Sequence, residues 1–97
     1  MNQKQPCVYI LASKKDGVLY IGVTSNLVKR LWEHQNSFVD GFTKKYHVYK
    51  LVFFELYETM DSAITREKQM KKWKREWKVN LIEKSNSDWM DLTNEIV

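Results

Sequence analysis

The tightest constraint on this chain lies in residues 7–23, CVYILASKKDGVLYIGV, where two short runs rich in β-branched and aromatic residues flank Asp16-Gly17. Such runs favour strands, and Asp-Gly between them is the strongest local hairpin signal. Residues 7–13 and 18–23 are therefore expected to pair through a turn over 14–17. Gly22 interrupts the second run, where a missing side chain marks close approach of another backbone or a ligand. Thr24, Ser25 or Asn26 can cap a helix over 27–35 whose apolar face is Leu27, Val28 and Leu31. The two strands carry Tyr9 and Tyr20, and Arg30 and His34 are four residues apart, one turn along the same helix face. Two phenols, a guanidinium and an imidazole on three adjacent elements exceed what a hairpin needs to fold.

Downstream, residues 36–47 read as a loop, with a turn at Asp40-Gly41 and with Thr43, Lys44 and Lys45 as phosphate contacts. Residues 48–57 read as a third strand. Its middle, 51–54, is continuously apolar, as a strand placed centrally or under helices would be. Asp61 or Ser62 is expected to cap a long helix beginning at Ala63, in which Ala63, Met70, Trp73 and Trp77 recur at helical spacing with Ile64 on the flank. Helical spacing makes Trp73 and Trp77 packing residues, and Trp32 and Trp89 are read the same way. Glu67 falls in line with Met70 and Trp73, so its carboxylate requires a partner: Arg30, a lysine or a bound cation. A break near 74–76, a short helix through Lys84 and a last turn over 89–92 capped by Asp88 complete the expected elements.

A chain of 97 residues has room for one domain, and 43% apolar with 29% charged residues is the balance of a folded globular protein. No apolar run approaches membrane-spanning length and no signal-peptide pattern opens the chain, so the expected location is cytoplasmic and no membrane partner is expected. The single Cys7 reads as a small buried hydrophobe, and with two histidines there is no zinc-type cluster. Residues 66–78 hold seven Lys/Arg against two Glu, out of a chain total of +4. That local basicity, Lys71 and Lys72 included, matches a phosphate-backbone footprint; a solvated helix face is the plainer alternative.

Tyr9 in the first strand, Tyr20-Ile21-Gly22 in the second, Arg30 one helix later and Glu67 on the next resemble the pattern of the GIY-YIG nuclease family, in particular its small stand-alone bacterial members. The resemblance spans residues 6–84. It implies an α+β fold, a three-stranded antiparallel sheet flanked by helices, in a single domain over 1–97 with a core of about 6–84 and a short extension over 85–97. By position it implies that Tyr9, Tyr20, Arg30 and His34 are catalytic and that Glu67 is the one metal-binding glutamate. Asn80 precedes Leu81-Ile82-Glu83-Lys84, similar to a catalytic asparagine in the excinuclease branch of the family. The first motif reads VYI rather than GIY but keeps the phenol, and Val23 stands where the excinuclease domain carries a lysine.

The implied reaction is hydrolysis of a DNA phosphodiester with Mg²⁺ or Mn²⁺, in DNA repair or processing, on branched or damaged DNA. The residue types suit it: a phenol titrates near 10 and serves as a base only beside cations, while one carboxylate plus waters and phosphate oxygens suits Mg²⁺. Either Tyr9 or Tyr20 can be that base, with His34 assisting proton transfer. The family nucleases usually carry a separate recognition domain, so specificity here is expected to be low, structure-directed, or supplied by a homodimer or protein partner. Two other readings compete: a catalytically weak nucleic-acid-binding module of the same fold, and a protein-interaction domain whose acidic segment 88–95 covers a basic helix.

Overall fold

The computed structural model describes residues 4–36 and 41–96, so Asp40 of the expected turn lies outside the described residues. Strands β1 (Cys7–Ala12), β2 (Leu19–Thr24) and β3 (Lys50–Leu56) form one antiparallel sheet in the order β2-β1-β3. Helices α1 (Leu27–Gln35), α2 (Gly41–Tyr46), α3 (Met60–Lys71), α4 (Arg75–Ser85) and α5 (Thr93–Ile96) surround it. Every residue of β1 is buried, as its central place demands. Its alternating side chains feed two cores. On one face Val8, Ile10 and Ala12 pack with Ala63 and Met70 of α3, Ile82 of α4 and Trp89. On the other, Cys7, Tyr9 and Leu11 pack with Leu27 and Leu31 of α1 and with Val48.

The hairpin forms as its residues predict, with Gly17 N–H donating to the Lys14 carbonyl at 2.9 Å. The left-handed backbone falls on Asp16 rather than on the glycine. Asn26 is the cap of α1, its side chain accepting from Lys29 N–H at 3.1 Å, and Thr24 Oγ1 accepts in turn from Asn26 N–H. The buried side of α1 is Leu27, Leu31 and His34, spaced i, i+4 and i+7; Val28 is turned to solvent. A polar ring therefore completes a helix face where an apolar residue was expected.

Three further expectations are corrected, and one is decided between its alternatives. β3 is an edge strand covered on both faces, so of the two expected places, central or under helices, the second holds, and a β-bulge between the pairs Ile10–Phe53 and Leu11–Leu51 adds to the continuity of its apolar run. The bulge leaves Val52 without a cross-strand partner and turns Val52 and Phe53 to the same core, while Leu51 and Phe54 face the other. Strict alternation is lost, and the run reads as continuous. Residues expected in a loop form α2. Thr59, ahead of Asp61 and Ser62, caps α3 by accepting from Ser62 N–H at 3.1 Å, so the helix starts at Met60. Trp32 and Trp77 are exposed, whereas Trp73 and Trp89 pack in the core as read.

The chain beyond α4 closes the β3 edge. Asn86 Nδ2 donates to the Val52 carbonyl at 3.1 Å and Leu92 N–H to the Leu51 carbonyl at 2.8 Å. Trp89 is fully buried between them with left-handed backbone (φ 56°), and its indole N–H donates to Glu83 at 2.7 Å. The final turn forms at Thr93–Ile96, with Asp91 rather than Asp88 accepting from Thr93 N–H. Leu92 and Ile96 pack on the α1 face of the sheet. Among the described residues, the acids of 88–95 make no ion pair with α3 or α4.

Candidate active site

The site is built from a strand pairing. Tyr9 of β1 stands directly opposite Gly22 of β2. The tyrosine ring lies across the glycine: a Cβ at Gly22 would run into the ring carbon Cζ and the hydroxyl. The close approach expected at Gly22 is therefore made by a neighbouring side chain. Any larger residue would push the ring away from β2 and take its hydroxyl with it.

Held there, Tyr9 Oη lies 2.9 Å from His34 Nε2, and His34 Nδ1 lies 3.2 Å from Thr43 Oγ1. Tyr9, His34 and Thr43 are 0%, 1% and 1% exposed. Burial pushes the Tyr9 phenol well above its ordinary value; the Tyr20 phenol adds to the shift and the Arg30 guanidinium opposes it. The imidazole therefore bridges the Tyr9 hydroxyl and the Thr43 hydroxyl, with the direction of each hydrogen bond set by its tautomer. Thr43, expected on the surface as a phosphate contact, is instead the inner end of this chain.

Tyr20 occupies the outer position. Its ring stands edge-on to His34, with centroids 5.2 Å apart at 67°, and 6.4 Å from the Tyr9 ring. Partly exposed, it lines a cleft of about 320 Å³ together with Leu19, Ile21, Phe42, Lys71 and Lys78. The cleft opens at β2, the sheet edge where the helices of the two faces meet. Tyr20 and Phe42 reach it from the α1 side, Lys71 and Lys78 from the other.

Glu67 lies behind that wall. It is 9% exposed, and its Oε2 accepts from Lys71 Nζ at 2.8 Å. A lysine is thus its partner, not Arg30, which pairs with Glu33 at 3.3 Å. Arg30 borders a second cleft of about 410 Å³ with Lys4, Lys29 and Glu33. Its charge still acts on the Tyr9 phenol. Asn80 is exposed on α4, whose buried residue is Ile82. Lys44, Lys45 and Lys72 are exposed, as phosphate contacts would need to be. The structure therefore brings Tyr9, Tyr20 and His34 together, sets Glu67 one side chain from their cleft, and leaves Arg30 and Asn80 outside its lining. Phe42 and Lys78 were missed. The 42/46 spacing of aromatic residues in GFTKKY was the available signal for Phe42, and Lys78 was hidden within a uniformly basic run.

Among the described residues no group of three or more His, Cys, Asp and Glu could hold a metal ion. One carboxylate, nearly buried yet reached by a half-exposed lysine that can withdraw, fits an ion of the Mg²⁺ kind, which keeps waters and takes phosphate oxygens.

Residues 5–80 match the sequence profile of the GIY-YIG catalytic domain. A UPF0213 protein of Clostridium perfringens is 43% identical over 75 residues, covering 77% of this chain and 80% of that protein. Another, of Syntrophus aciditrophicus, is 38% identical over 79 residues, covering 80% and 90%. The solution NMR structure of a UPF0213 protein from Bacillus halodurans superposes with a TM-score of 0.57 over 93% of this chain and 95% of that one, at 24% identity, and shows the same fold. No helix among the described residues is long and apolar enough to cross a membrane.

Proposed function

As the chain belongs to the GIY-YIG family of nuclease-type domains, we propose that it is an endonuclease that hydrolyses DNA phosphodiester bonds at the cleft beside Tyr20, with Mg²⁺ or Mn²⁺ as cofactor. The observation that carries this reading is that a phenol and a carboxylate approach one basic cleft from opposite faces of the sheet: Tyr20 lines it, and Glu67 holds the Lys71 that lines it.

In this reading Tyr20, as the phenolate beside the lysines of the cleft, takes the proton of the attacking water, because it is the phenol that reaches the cleft, and the leaving oxygen is protonated from solvent. Tyr9 keeps its own proton and, through His34 and Thr43, forms the rigid wall against which the Tyr20 ring is set. Glu67 would hold the divalent ion once Lys71 withdraws. When bound, that ion supplies positive charge to the phosphoryl oxygens and the leaving oxygen. Arg30 contributes a fixed positive charge to the same field, and Lys71 and Lys78 receive the phosphates on either side. Asn80 completes the assignment by position only. A second reading, a nucleic-acid-binding module without useful catalysis, draws on the Glu67–Lys71 ion pair, which occupies the carboxylate a metal would need.

Nicking of supercoiled and branched DNA with Mg²⁺ or Mn²⁺ separates the two, comparing the native chain with Glu67→Ala and Tyr20→Phe. The expected result is metal-dependent cutting that both substitutions abolish while the fold, read by circular dichroism, persists. Cutting that survives Glu67→Ala would overturn the site assignment. Salt-sensitive binding without cutting on any substrate would leave the binding module as the better reading.

A further inference from the structure

α2 is built inside out. An amphipathic helix at a protein surface turns its apolar residues inward and its polar ones outward. Here the residue facing the core is Thr43, at 1% exposure, while Phe42 and Tyr46, one turn apart, are 39% and 43% exposed. Among the described residues, packing of the core does not account for the exposure of these two rings. Nor are they scattered: the Phe42 centroid lies 4.9 Å from that of Tyr46 and 6.1 Å from that of Tyr20. The three rings form a row that runs out of the cleft at Tyr20. Cations flank it along its length, with Lys71 and Lys78 on the cleft wall and Lys45 Nζ 5.3 Å from the centroid of the Tyr46 ring.

We propose that this row, Tyr20–Phe42–Tyr46, is a stacking platform for the unpaired bases of single-stranded DNA, and that it selects an unpaired strand over a duplex as substrate. The proposal rests on the nuclease reading for the identity of the polymer as DNA, but the binding it describes stands apart from catalysis. Exposed aromatic rings flanked by lysines are what a single strand requires: the rings take base faces and the ammonium groups take the neighbouring phosphates. A duplex cannot use such a row, since its base faces are covered by their neighbours and only groove edges are offered. The platform begins at the phenol assigned to the reaction, so a stacked strand delivers its backbone to the Tyr20 cleft. Selectivity would then come from the domain itself.

The test is fluorescence anisotropy with one labelled 20-nucleotide sequence in four forms: single-stranded DNA, blunt duplex, a duplex with an unpaired arm, and single-stranded RNA. Chelator is present so that no cutting occurs. The expected result is tighter binding of the single strand and the arm than of the blunt duplex. Phe42→Ala with Tyr46→Ala should weaken single-strand binding about tenfold or more, the scale of one to two lost base stacks, with little effect on the duplex. Phe42→Trp with Tyr46→Trp should restore the preference, and Trp77→Ala, which removes an exposed aromatic residue outside the row, should leave it unchanged. Both alanine sites are exposed, and a thermal melt confirms the fold. A native chain that prefers the blunt duplex, or a double alanine variant with an unaltered preference, would overturn the proposal. RNA bound more tightly than DNA would overturn its DNA assignment. Loss of the preference in the double alanine variant, together with an absence of cutting on any substrate, would uphold the platform while the nuclease reading fails.

Discussion

Tyr9 and Gly22 behave as one unit. The ring needs the empty space at the glycine, and the hydroxyl can reach His34 only because the ring lies there. Gly22→Ala should therefore displace the ring or strain the β1–β2 pair. The expected cost is about 1–3 kcal/mol, the usual penalty for overpacking a filled site, read from urea unfolding. The variant should also lose cutting through Tyr20, whose ring stands on the same wall. Two buried acids in this core are expected to lower stability at alkaline pH. Burial pushes the Cys7 thiol up from 9.0 to about 12 and raises the Tyr9 phenol as well. Each folded-state value lies above the unfolded one, so the folded chain binds more protons there. Their stabilisation is complete below the unfolded values and is lost as pH rises through the folded ones. Thermal midpoints should be flat near neutrality and fall from about pH 9 upward, where unfolded thiols and phenols begin to ionise. Cys7→Ser with Tyr9→Phe should flatten that decline; an equally steep fall in the double variant would refute the assignment.

At the scale of elements, the C-terminal segment is the part of the fold that makes β3 safe. An apolar edge strand with a bulge exposes unpaired carbonyls and invites pairing with other chains. Asn86 covers the bulged Val52 carbonyl and also ties the next turn, its Nδ2 donating to the Met90 carbonyl at 2.9 Å and its Oδ1 accepting from Met90 N–H at 2.9 Å. Asn86→Ala would leave several of these groups unpaired near the core, each worth about 1–3 kcal/mol when buried. The urea midpoint should drop accordingly, and size-exclusion chromatography should show association rising with concentration. A strictly monomeric variant of unchanged midpoint would show that the segment merely rests on the edge. The left-handed Trp89 belongs to the same closure, its backbone cost outweighed by the burial of the whole indole.

For the molecule as a whole, charge and sheet edge coincide. The basic stretch 66–78 passes along α3 and into α4, and two of its lysines reach the β2-edge cleft. Binding of DNA should weaken steeply with salt, because each neutralised phosphate releases counterions. The two adjacent lysines should differ. Lys72→Ala should lower the salt slope by about 1, as expected for the loss of one phosphate contact. Lys71→Ala should lower it less, since the Lys71 charge is already offset by Glu67. The same substitution would free the Glu67 carboxylate, so Mn²⁺ binding, followed by electron paramagnetic resonance, should tighten in Lys71→Ala and vanish in Glu67→Ala.

Most elements of this protein were legible in its sequence where neighbours along the chain decide the outcome, with α2 and the Thr59 cap as the exceptions. Asp-Gly between β-rich runs encodes the hairpin, Asn26 ahead of Leu27 and Leu31 starts α1, and the spacing of Ala63 and Met70 marks α3. The tyrosine–YIG–arginine–glutamate order identified the family for the same reason, since it is a linear pattern. What distant parts of the chain decide was not legible. That β1 rather than β3 is central follows from pairing, and the bulge that gives Val52 and Phe53 one face has no local signature. Whether Thr43 faces solvent or His34, whether Trp77 packs or protrudes, and which cation takes Glu67 depend on which helix faces meet across the sheet. Sequence thus named the groups, but only tertiary structure made Tyr9 the buried phenol and Tyr20 the one that reaches the cleft. The physical reason is that burial, and with it every shift in proton affinity, is a property of the packed whole.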